Sequence, residues 1–157
     1  IPDRVILWLA HGDRECLTSD IINLQKDGLE IKYCEDIRSF KKIIPTLREM
    51  PDSFIVLADD DLCYYSKWLE DLVNGWSGNS KDVVCHRAHL ITFGVQGLPK
   101  PYREWRYERA LKKSSELNFP TTGFGYFTRL VHFITMFWMS ISLLIFVLWL
   151  TMFGFIG

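Results

Sequence analysis

"SFIVLADDDLCYYSKWLEDLV", residues 53–73, runs an apolar segment straight into three consecutive aspartates, follows them with two tyrosines and then adopts helical spacing. Phe54 to Ala58 has the composition of a buried strand, and Ser66 to about Trp76 places Trp68, Leu69, Leu72, Val73 and Trp76 on one side of a helix. Adjacent carboxylates repel one another, so a fold keeps such a cluster where water solvates it or a cation neutralises it. The acids fall at the carboxyl end of a strand, where α/β sheets present ligands.

The flanking sequence repeats this alternation. Val5 to Leu9 is an apolar run followed by the polar loop "HGDREC". Thr18 or Ser19 can cap a short helix through Leu24, Gly28 can end it, and "LEIKYC" (29–34) alternates as a strand. "EDIRSFKKIIPTLREM" (35–50) reads as a loop entering a helix, with Ser39 as cap, Pro45 as a kink or restart and Pro51 as the stop. "DVVCHRAHLITFGVQG" (82–97) has the look of a strand or hairpin. Strands alternating with helices predict an α/β fold with parallel pairing.

Charge is close to balanced, with 18 basic and 19 acidic side chains in 157 residues, which gives no footprint of a nucleic-acid binder. It is unevenly spread. From Leu130 to Gly157 there is no Asp, Glu, Lys or Arg, and as a helix this tail would be about 40 Å long, enough to span a bilayer. Lys100, Arg103, Arg106, Arg109, Lys112, Lys113 and Arg129 precede it against Glu104, Glu108 and Glu116, which by the positive-inside rule predicts a single-pass membrane protein with a cytoplasmic N-terminal domain. Cys16, Cys34, Cys63 and Cys85 show no CxxC pair, so neither a zinc spacing nor a disulfide framework is visible.

Asp59 and Asp61 form a D-x-D pair that can aim two oxygen donors at one hard divalent ion, leaving positions for phosphate oxygens and water. A solvated turn is the plainer alternative. A phosphatase with Asp59 as nucleophile is a third, although Cys63 stands where its motif wants Thr or Val. Calcium in an EF-hand loop is a poorer reading, because the sequence after Asp59 lacks the glycine that the loop needs at its sixth position, where Tyr64 stands. Tyr64, Tyr65 and Trp68 can stack on a sugar ring or pack a core. His86 and His89 form H-x-x-H, whose rings would face opposite sides of a strand and therefore read as structural; Arg87 between them suits a phosphate.

The runs "IPDRVILWLA", "GLEIKYCEDIRSFKKIIPTLREMPDSFIVLADDDLCYYSKWLEDL", "VCHRAH" and "KPYREW" together resemble bacterial nucleotide-sugar-dependent glycosyltransferases of family 2 type, found in lipopolysaccharide and capsule clusters. The resemblance covers residues 1–125 and implies a partial GT-A, Rossmann-like, nucleotide-sugar-binding sheet, with residues 126–157 as a transmembrane tail. It implies that Asp59, Asp60 and Asp61 meet the donor, that Asp59 and Asp61 hold Mn²⁺ or Mg²⁺, and that Asp36, Lys41 and Lys42 bind the donor. The implied partners are a nucleotide-sugar donor, a glycan or lipid-linked glycan acceptor and a membrane, without nucleic acid.

The chain departs from that pattern at both ends. The family's usual first strand is missing, and after "FPTTGFG" (119–125) the apolar tail stands where an acceptor-binding half is expected, as in a truncated or frame-shifted product. Glu104 and Glu108 lie in a basic segment that reads as a solvated surface, so no general base is assigned. A non-catalytic, membrane-anchored remnant or interaction module is the competing expectation.

Overall fold

The computed structural model describes residues 1–79, 82–107, 114–121 and 125–129. Contacts divide the chain into two compact units, Ile1–Pro51 and the described residues from Asp52 on.

In the first unit the apolar run Val5–Ala10 (β1) pairs in parallel with Leu29–Cys34 (β2), from Val5 opposite Leu29 to Ala10 opposite Cys34. The crossover passes through a 3-10 turn at His11–Cys16, helix α1 (Ser19–Asn23) and a second turn at Leu24–Asp27. Gly28, at φ 98°, ends it in the left-handed region that glycine enters without a Cβ penalty. A further 3-10 turn at Arg38–Lys42 leads into α2 (Ile44–Glu49), where Pro45 occupies the first turn and starts the helix. The core of this unit gathers Trp8, Ala10, Ile43, Pro45 and Thr46.

The described residues of the second unit form two antiparallel sheets. Phe54–Leu57 (β3) and Val84–Cys85 (β4) flank Tyr126–Arg129 (β8), giving the order β3-β8-β4. Ala88–Leu90 (β5) lies between Arg106–Tyr107 (β6) and Asn118–Pro120 (β7), giving β6-β5-β7. Helix α3 (Trp68–Asn74) buries Leu72, and Ile55, Leu57, Ala88, Ile91 and Trp105 are buried with it among the described residues of this unit.

Among the described residues, the predicted partial GT-A, Rossmann-like sheet with a C-terminal transmembrane helix is not what forms. Parallel pairing among the described residues is confined to β1 and β2, and β3, the strand that leads to the three aspartates, takes an antiparallel neighbour. That neighbour comes from the start of the segment expected to be a membrane helix. Tyr126–Arg129 is rich in aromatic and β-branched residues, and it pairs with β3 along its length and with β4 at Tyr126 and Phe127. Among the described residues no helix is long and apolar enough to cross a membrane. The uncharged stretch from Leu130, to which the span was assigned, lies outside the described residues.

Candidate functional site

β3 delivers the chain directly to Asp59, which is half-buried, while Asp60 and Asp61 turn into solvent. The turn is tied from within: the Asp59 backbone N–H donates to the Tyr64 hydroxyl at 2.8 Å. Tyr64 in turn lies against Trp68 with ring centroids 4.2 Å apart, so the first residue of α3 braces the acid turn through one tyrosine. His86 Nε2 donates to the Trp68 carbonyl at 2.9 Å. The Tyr65 ring meets His86 edge-on at 5.9 Å.

Tyr65 is exposed, and its hydroxyl donates to Asp71 at 2.7 Å. That hydrogen bond to a carboxylate raises the Tyr65 phenol above its ordinary value. Gly125 approaches the Trp68 indole so closely that a Cβ would overlap it, and its φ of 80° also calls for glycine. The aromatics after the acids therefore have structural partners already. The tyrosine-to-turn hydrogen bond was not legible in the spacing, because it depends on how the chain folds back from Asp61 to Tyr64.

Asp36, Lys41 and Lys42 belong to the first unit. The Asp36 carboxylate accepts from the Arg38 N–H at 3.0 Å, closing a tight turn in which Arg38 adopts a left-handed φ of 56°. Lys41 Nζ lies 3.8 Å from Asp36 and 3.3 Å from Asp13, so Asp36 and Lys41 are brought together as one small charge cluster. Asp13 was missed by the sequence reading. It sits in the polar loop after β1, and only the parallel pairing of β1 with β2 brings that loop to the segment after β2. Lys42 is half-buried nearby in sequence and does not enter these ion pairs.

The first unit also carries a hollow of about 340 Å³ between the carboxyl end of β2 and α2, lined among others by Trp8, Cys34, Glu35, Ile37, Pro45 and Arg48. Lys32 bridges to Glu49 beside it and covers the Trp8 ring at 5.4 Å.

His86 and His89 go to different surroundings. The chain breaks from strand at His86, whose ring joins Tyr65 and Trp68, whereas His89 is buried in the β6-β5-β7 sheet. Arg87 Nε donates to Thr121 Oγ1 at 2.7 Å, a use internal to the fold. Among the described residues no three His, Cys, Asp or Glu side chains converge as a metal cage. The four cysteines are free, Cys16 and Cys63 exposed and Cys34 and Cys85 half-buried.

Comparison of the chain with protein families, with curated proteins and with solved structures finds no match.

Proposed function

We propose that the chain binds the diphosphate of a nucleotide-sugar through the Asp59–Asp61 turn, as the donor-binding part of a metal-dependent glycosyltransferase acting toward a glycan or lipid-linked glycan hydroxyl. One observation carries the reading: β3 leads into a braced turn in which Asp60 and Asp61 are exposed while the Asp59 amide is tied to Tyr64. Asp59 and Asp61 are the residues that would hold Mn²⁺ or Mg²⁺. Among the described residues no group of three His, Cys, Asp or Glu side chains forms, and a carboxylate pair suits an ion that completes its shell with phosphate oxygens and water, rather than a permanently caged one. Bound there, the metal supplies charge neutralisation at the departing nucleoside diphosphate. Asp60 would meet the donor beside it.

A second reading, a non-catalytic interaction module, is favoured by the ion pairing of Lys41, which two carboxylates already neutralise. Calorimetric titration of UDP and of GDP into the full chain, with and without Mn²⁺ and beside Asp61→Asn, separates the two. Donor binding predicts an affinity that needs the metal and is lost in the variant. A folded protein that binds neither nucleotide in the presence of Mn²⁺ overturns it in favour of the module.

A further inference from the structure

His89 occupies the middle of β5 and is 5 % exposed. Strand register sets it beside Tyr107 of β6 and Phe119 of β7. Its ring meets Tyr107 edge-on at 4.6 Å and lies tilted against Tyr102 at 5.4 Å. Tyr102 and Phe119 pack in turn on the buried pair Ile91 and Trp105. His89 Nδ1 is buried without a hydrogen-bond partner.

Among the described residues, no carboxylate acts on the ring to hold a second proton. On its own strand side the charged neighbour is Arg87, of like sign to an imidazolium. β6 contributes the Tyr107 phenol, the 3-10 turn at Tyr102–Glu104 contributes the Tyr102 phenol, and β7 contributes Phe119. Arg106 and Asn118 stand opposite Leu90, one register position away, and Arg103 and Glu104 on the turn are exposed.

We propose that His89 is a protonation switch, and that a second proton on its ring opens the β6-β5-β7 sheet and exposes the aromatic cluster around Trp105. An imidazolium in this site would be desolvated and repelled by Arg87, whereas opening returns it to water. Burial first, and Arg87 second, hold His89 below the ordinary imidazole value of 6.5 in the closed sheet. A solvated His89 takes its proton near that ordinary value, so the open form binds the proton more tightly. The sheet's stability is therefore full above about pH 6.5 and declines as the pH falls below it.

Hydrogen exchange on the full chain at pH 7.5, 6.5 and 5.5, expressed as protection factors to remove the intrinsic pH dependence, tests this. The amides of residues 88–90, 118 and 119 are expected to lose protection by up to about tenfold between pH 7.5 and 5.5, the ratio that uptake of one proton allows. The amides of residues 29–34 on β2, in the other unit, serve as the internal reference and should not change. In His89→Phe, which keeps an apolar ring but cannot titrate, protection at residues 88–90 should be independent of pH over this range. Equal wild-type protection at pH 7.5 and 5.5, or an unchanged pH response in the variant, overturns the proposal. The wild-type comparison decides by itself if the variant does not fold.

Discussion

The indole of Trp8 on β1 donates a 2.7 Å hydrogen bond to Thr46 Oγ1 on α2, across 38 residues of sequence, and both side chains are buried. This bond couples the parallel pair to the helix that covers it, and it satisfies the one donor the indole carries. Thr46→Val keeps the shape and removes the acceptor, leaving the Trp8 N–H buried and unpaired. The expected cost is about 1–3 kcal/mol. Urea unfolding read by tryptophan fluorescence checks it, and Thr46→Ser, which retains a hydroxyl, should recover most of the loss.

Gly125 is fixed by two independent demands, a φ of 80° and the Trp68 indole where its side chain would begin. Gly125→Ala must both strain the backbone and push Trp68, the residue against which Tyr64 rests. A destabilisation of about 2 kcal/mol or more is expected. Thermal melts would show the loss. Because the displaced Trp68 carries Tyr64 with it, the variant should also weaken whatever Mn²⁺-dependent nucleotide binding the wild type has.

Much of the chain's first half was legible in the sequence. β1, β2 and β3 form at or within a residue of their apolar runs, and Gly28 and Pro45 punctuate the chain as their backbone restrictions require. What escaped was long-range pairing. Tyr126–Arg129 merges in composition with the apolar run behind it, and only the ladders to β3 and β4 mark it as strand. The same holds at the site. Asp59, Asp60 and Asp61 announce themselves by repetition. The Tyr64 hydroxyl and Asp13 do not, because each acts through a fold-back that local periodicity does not encode.

Tyr64 offers a gentle probe of the acid turn. Tyr64→Phe keeps the ring that packs on Trp68 and removes only the oxygen that accepts from the Asp59 N–H. The bond is part-buried, so a loss of about 0.5–1.5 kcal/mol in urea unfolding is expected. The Asp59 amide should also exchange faster than in the wild type. An unaltered amide would mean that the turn holds without its tyrosine brace.

The thiols should divide by reactivity. Cys16 and Cys63 are exposed, whereas burial pushes the thiols of Cys34 and Cys85 above their ordinary value and keeps them protonated. A brief treatment with a maleimide at pH 7, followed by peptide mass spectrometry, is expected to label Cys16 and Cys63 first. Cys34 and Cys85 should react fully only after denaturation. Rapid labelling of Cys85 in the folded chain would be inconsistent with its place in β4 beside β8.

Arg4 and Glu30 form a two-pronged ion pair at the start of the parallel sheet, with Arg4 Nε 2.6 Å and Nη2 2.5 Å from the carboxylate oxygens. The hydrogen bonds from Arg4 hold Glu30 below the ordinary carboxylate value of 4.5. Folding therefore favours the ionised form, so the pair's contribution is present above about pH 4.5 and is lost as the pH falls through the lower folded value. Glu30→Gln should make the melting temperature less sensitive to acid below pH 4.5 while leaving its course between pH 6 and 8 unchanged. Both ends are open to solvent, so added salt should narrow the difference between wild type and variant at neutral pH. Melts from pH 3 to 8 at low and high sodium chloride test both statements, and parallel acid limbs for the two proteins would show that the pair contributes nothing to the fold.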